Sequence, residues 1–124
     1  MRFLILQAYW QLIRFEVCLG HRDFAALHRL VRTTPVRRGT FAADTTTRIC
    51  SAIDYASIGY WKQVQCLQRS AATTCLLRRH GVAARLVIGA RQMPFRAHAW
   101  VEVDDQVIND MPHRTQMFEV LERC

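Results

Sequence analysis

Cys66-Leu67-Gln68-Arg69-Ser70-Ala71-Ala72-Thr73-Thr74-Cys75-Leu76-Leu77-Arg78-Arg79-His80-Gly81 is the stretch that organises the chain. It reads as one helix with both ends marked: two arginines and a histidine sit where the helix dipole is negative, and a glycine stands in the C′ position. Cys66 therefore falls at the positive end, where a thiol ionises more readily than a free one, above all beside a histidine. Cys75 lies inside the helix without that help and reads as a small buried hydrophobe, as do Cys18 and Cys50.

After Gly81 the pattern changes. Ala84–Ala90 is rich in β-formers, a loop containing Pro94 follows, and Ala97–Val103 is a second strand candidate. Asp104-Asp105-Gln106 reads as the turn, with Val107–Asp110 returning. With three turn residues, Trp100 lies opposite Asp110, and His98, Trp100 and Asp110 share one face; a two-residue turn puts Asp110 on the other. Cys66, His98 and Asp110 then supply a thiol nucleophile, its base and the group that orients the base. Asp104 and Asp105 compete for the third role but read better as solvated turn residues. Glu102 lies on the same strand as His98 and is poorly placed to bond it.

Upstream, Phe3–Leu19 carries only Gln7, Gln11, Arg14 and Glu16 as polar residues, so a helix there has a wide apolar surface that must be buried or docked on a partner. His21–Arg32 continues at helical spacing until Pro35. Thr33–Thr40 reads as a linker. Asp44 is a candidate N-cap for a helix burying Ile49, Ala52, Ile53, Ala56 and Tyr60. The expected organisation is one α+β domain over 1–124. Residues 1–40 form a helical hairpin and linker, and 41–124 a catalytic core in which a small antiparallel sheet packs on the helix that starts near Cys66.

At 124 residues the chain is long enough for a single core. The formal charge is +7 and Lys62 is the only lysine, a bias that favours bidentate contacts to carboxylate or phosphate. No zinc-finger spacing or aromatic-glycine RNA signature accompanies it, which argues against nucleic acid. Five cysteines with no Cys-x-x-Cys pair and no His/Cys cluster at metal spacing fit a reduced, cytoplasmic setting, with neither metal nor cofactor expected. No stretch has the length of a membrane span. Arg69 and Arg91 are candidates for binding a substrate carboxylate or peptide carbonyls, though each alone also suits a surface ion pair. Trp100 is assigned beside them at the substrate, shielding the Cys/His pair. Gln63 and Gln65 are candidate oxyanion donors alongside the Cys66 amide.

Five ordered motifs carry a resemblance. Cys66-Leu67-x-Arg69-Ser70, Leu76-Leu77-Arg78-Arg79-x-Gly81, Leu86-Val87-Ile88-Gly89-x-Arg91, Pro94-Phe95-x-x-His98-Ala99-Trp100-Val101-Glu102 and Val107-Ile108-Asn109-Asp110 together resemble the leader peptidases of lasso peptide biosynthesis, which are transglutaminase-like cysteine proteases. The resemblance implies a papain-like arrangement in which Cys66 is nucleophile, His98 base and then acid, and Asp110 the orienter. It implies cleavage of a leader from a ribosomally made precursor peptide, freeing the core amine for a macrolactam-forming cyclase. About 60 residues precede Cys66 and read as helices, so leader recognition is expected from a separate protein acting in trans, with the apolar first helix as a docking surface. Two rival functions remain open: acyl transfer to an amine by the same triad, as in transglutaminases and N-acyltransferases, and a basic nucleic-acid-binding or adaptor module with an inert triad.

Overall fold

The structure, a computed structural model, describes residues 2–39, 43–111 and 115–124. Among the described residues, four helices, α1 (Arg2–Gly20), α2 (Phe24–Thr33), α3 (Thr45–Ile58) and α4 (Cys66–Arg79), precede four strands, β1 (Ala84–Arg91), β2 (Arg96–Val103), β3 (Gln106–Val107) and β4 (Glu119–Arg123). The architecture is α+β, and the antiparallel sheet runs β3-β2-β1-β4.

Helix α4 is the axis of the fold. From Ser70 to Arg78 every residue is buried, so α1, α3 and the sheet enclose it nearly all round. Two of its interior hydroxyls are satisfied within the helix: Thr73 and Thr74 donate to the carbonyls of Arg69 and Ser70, at 2.8 and 2.9 Å. Gln68 donates across to the Leu12 carbonyl of α1 at 2.8 Å. The helix ends as its sequence implies, with Gly81 at φ +91° and Val82 N–H returning to the Leu77 carbonyl.

Leu4, Ala8, Leu12 and Phe15 line one face of α1 at three- and four-residue intervals and join the same core as Ile49, Ile53, Leu76 and Val101. The first helix thus packs into the same core as α3, α4 and the sheet. The boundary placed at 40/41 lies outside the described residues. Asp23 caps α2 by accepting from Ala26 N–H at 2.9 Å, whereas Asp44 stands at the N-cap of α3 without a side-chain bond.

Arg78 is not merely a cation at a helix end. It is 8% exposed, and its guanidinium donates to the carbonyls of Ala84 (2.8 Å), Val31 (2.5 Å) and Thr34 (3.4 Å). One side chain thus ties the end of α4 to the end of α2 and the start of β1. His80, next to the helix end, shares a 3.0 Å hydrogen bond with Gln7. Burial first, then Arg37 and Arg48, hold its pKa below the ordinary 6.5. A base with a depressed folded pKa stabilises the fold above its unfolded value, and that contribution fades as pH falls through the folded one. The midpoint of thermal unfolding is therefore expected to drop as pH falls below 6.5, and His80→Gln to flatten that slope. Parallel slopes in both proteins would remove His80 as the cause.

The hairpin corrects one expectation. Val103 pairs with Gln106 and Glu102 with Val107, so the turn has two residues, Asp104 and Asp105, and not three. Both adopt positive φ, +51° and +62°, a conformation aspartate tolerates and a tight hairpin demands. Asp105 also pairs with Arg85 at 2.7 Å. Strand β4 was not anticipated; it completes the opposite edge of β1.

Candidate active site

Two contacts align α4 with β2. Ser70 Oγ donates to the Ala99 carbonyl at 3.1 Å, and Arg78 bonds Ala84, which pairs with Val103. Eight helical residues rise about 12 Å and four strand residues span about 13 Å, so helix and strand run the same way in step. By the same spacing, Cys66, one turn back from Ser70, is expected toward the His98 end of β2. Cys66 is exposed at the first position of α4. At the other four cysteines burial disfavours the thiolate: it raises the thiol pKa of Cys18, Cys75 and Cys124, and raises Cys50, with Asp54 adding to the effect, to about 11.

His98 Nε2 hydrogen-bonds Asp110 Oδ2, and the other carboxylate oxygen accepts from Met111 N–H at 2.7 Å. Both side chains are largely buried, 21% and 12% exposed. The imidazole rests against Phe118 and Trp100, with ring centroids 5.2 and 5.9 Å away. With a two-residue turn, strand parity sends Asp110 to the wrong face, yet the bond to His98 is made. The reason is that the ladder stops early. Ile108 N–H bonds the Val101 carbonyl at 3.0 Å, but Val101 N–H bonds the side chain of Asn109 at 2.8 Å instead of the Ile108 carbonyl. The chain leaves the sheet there, and period-two alternation no longer governs Asp110.

The substrate candidates sort differently. Trp100 is 2% exposed and donates its indole N–H to Glu102 at 3.1 Å, so it packs behind His98 instead of meeting a peptide. Arg69 pairs with Asp54 at 2.5 Å, and Arg91 lies over Phe118, 5.9 Å from the ring centre. Gln63 and Gln65 are exposed just upstream of Cys66, and Gln65 makes no side-chain cap bond to the amides of α4. Those amides are therefore not taken by a cap and are available to an oxyanion. Phe118, Ser70 and Asn109 had no role assigned from sequence. The last two stood inside quoted motifs, and only the fold shows what they touch.

Gly89 sits opposite His98, under the indole of Trp100. A Cβ there would lie 2.8 Å from Trp100 Cη2 and 3.0 Å from Phe118 Cβ. Gly89→Ala is expected to cost about 1–3 kcal/mol by overpacking and to displace Trp100 from beneath the imidazole. Urea unfolding measures the cost, and near-UV circular dichroism follows the indole; an unchanged pair of curves would contradict the packing described.

Among the described residues, His28, Glu122 and Cys124 gather with donor atoms within 4.8 Å of one another, a set that could hold a metal ion. Linear spacing gave no sign of it, because the residues come from opposite ends of the chain. His28 and Glu122 already pair at 2.8 Å, and Arg32 and Arg78 act on the thiol. No helix among the described residues is long and apolar enough to cross a membrane.

Comparison with known proteins agrees with this architecture. The microcin J25-processing protein McjB of Escherichia coli is 45% identical over 56 residues, a stretch covering 45% of this chain and 27% of that protein's length. The matched part is thus well under a third of the relative. No solved structure matches. Residues 9–123 match the family described as the transglutaminase-like superfamily. With that match spanning nearly its whole length, the chain belongs to the transglutaminase-like superfamily.

Proposed function

We propose that this protein is a cysteine peptidase that removes the leader from a ribosomally made lasso peptide precursor. The observation that carries the reading is the His98 Nε2–Asp110 hydrogen bond, found in a chain whose exposed cysteine opens the helix packed on that strand. With Nε2 committed to the carboxylate, Nδ1 is the nitrogen left to serve sulfur. Membership of a cysteine-enzyme superfamily and the likeness to a microcin-processing protein support it.

The chemistry follows in two halves. His98 Nδ1 takes the Cys66 proton, and the thiolate attacks the carbonyl carbon of the last leader residue. The oxyanion meets the free amides at the start of α4. As the C–N bond breaks, His98 returns the proton to the departing nitrogen, and the core peptide leaves with a free amine. The leader stays on Cys66 as a thioester. Water, deprotonated by His98, then attacks that carbonyl, releasing the leader acid and the thiolate. The freed amine is what a macrolactam-forming cyclase needs.

Recognition of the leader is assigned to a separate protein docking on α1. Phe3, Leu6, Trp10, Ile13 and Val17 alternate at three- and four-residue steps along one face of that helix, each between 44% and 70% exposed. Leu6→Glu and Ile13→Glu, both at the surface, are expected to leave folding intact and weaken capture of the leader-binding protein at least tenfold in a titration, about 1.4 kcal/mol. Undiminished capture would remove α1 from the interface.

The test of the reaction is the mass of the products. Wild-type protein mixed with precursor and the leader-binding protein should yield two fragments whose masses sum to precursor plus water, and Cys66→Ala should yield none. An adduct with an added amine would instead mean acyl transfer, and function unaffected by Cys66→Ala would mean an inert triad.

A further inference from the structure

The two-residue turn leaves a geometric problem that one amide solves. Val101 N–H can only donate, so the atom of Asn109 facing it at 2.8 Å is the oxygen, which turns the Asn109 Nδ2 toward Ser70 Oγ at 3.1 Å. Ser70 has one hydroxyl proton, and it goes to the Ala99 carbonyl at 3.1 Å, so Ser70 accepts from Asn109. The direction of the whole relay is therefore fixed: Asn109 donates to Ser70, and Ser70 to Ala99. Ser70 is 1% exposed, so water does not compete for it.

Three segments meet in this relay: the edge of β2 next to His98, the chain departing toward Asp110, and the helix that begins with Cys66. Asn109 takes the place of a ladder carbonyl, and the displaced Ile108 carbonyl faces Cys50 Sγ at 3.9 Å. The very next residue is Asp110. We infer that Asn109 and Ser70 are positioning residues that act through Asp110 and Cys66: their relay ends the β2–β3 ladder where Asp110 can reach His98 Nε2 and keeps the helix-start thiol in step with that pair. The inference rests on the thiol-peptidase reading for its catalytic meaning, although the placement of Asp110 on His98 is a claim about geometry alone.

Asparagine is suited to this position because it both accepts and donates. Asn109→Asp keeps the acceptor for Val101 and loses the donor to Ser70; Asn109→Ala loses both; Ser70→Ala breaks the relay from the helix side. The primary readout is the proton signal of His98 Nε2–H in the whole, folded protein, assigned by its loss in Asp110→Ala. It should vanish or move upfield in Asn109→Ala and shift part of the way in Asn109→Asp and Ser70→Ala. Alkylation of Cys66 by iodoacetamide should slow by about tenfold in Asn109→Ala, and kcat on the precursor should fall by about 100-fold with KM little changed. A His98 signal unchanged in folded Asn109→Asp or Ser70→Ala, with only the unfolding midpoint lowered, would reduce the relay to ordinary packing and overturn the inference. Failure of the peptidase reading shows elsewhere: cleavage by Cys66→Ala would sink that reading, while the His98 signal would still judge the placement of Asp110.

Discussion

Cys66→Ala is expected to lower precursor cleavage by a factor on the order of 10⁶, because removing the nucleophile of a catalytic unit costs about as much as removing the unit. His98→Ala should fall nearly as far, and the double variant no further, since neither residue works without the other. The fold should be indifferent to the first change. Cys66 is exposed and buries nothing that alanine would leave empty, so an unfolding free energy within about 0.5 kcal/mol of wild type is expected. Rate loss without stability loss separates a chemical role from a structural one. The same pair of measurements on Cys75→Ala should show the reverse, a stability cost and an active enzyme, because Cys75 is fully buried and bonded to Thr34.

The largest expected effect on stability belongs to Arg78. Arg78→Ala removes the guanidinium from a buried junction of α2, α4 and β1: the carbonyls of Thr34 and Ala84 lose their side-chain donor, and that of Val31 keeps only the Thr34 N–H. With about 1–3 kcal/mol for each buried group left unpaired, and water refilling part of the gap, a net loss of about 3–4 kcal/mol is expected. For a chain of this length that is a fall of about 10–15 °C in the unfolding midpoint. The neighbouring Arg79 is exposed and serves as the control, with an expected change within about 0.5 kcal/mol. Equal midpoints for the two variants would contradict the buried clamp.

Much of this fold is legible from residue patterns because its elements are strongly marked. Helix α4 declares both ends, and β1 and β2 are dense in β-formers flanked by turn residues. Asp110 is a different case. Face parity brings this residue to His98 only under a three-residue turn, whereas the structure has a two-residue turn and reaches the same partner through the Asn109 side chain. Parity describes regular ladders, and this ladder is cut short by a side chain that imitates backbone, which no periodicity reveals. Strand β4 escaped for a related reason. Glu119, Glu122 and Arg123 make it look like a solvated tail, and it is held as a strand by pairing with β1, a long-range contact. Arg78 was read from its place in sequence as a helix-end cation; its burial depends on where α2 and β1 arrive.

The α1 surface is divided between burial and exposure. One face packs the core through Leu4, Leu12 and Phe15, and the other leaves Phe3, Leu6, Trp10, Ile13 and Val17 in solvent.

The central claim is that Cys66, oriented through His98 and Asp110, forms a covalent bond to the leader. Rapid quenching of wild-type protein with precursor, followed by intact-mass measurement and peptide mapping, tests it most directly. The expected result is protein heavier by the leader acyl group, carried as a hydroxylamine-sensitive thioester on Cys66, with the core peptide already released. Fragments appearing at the wild-type rate from Cys66→Ala, with no adduct at any quench time, would contradict it.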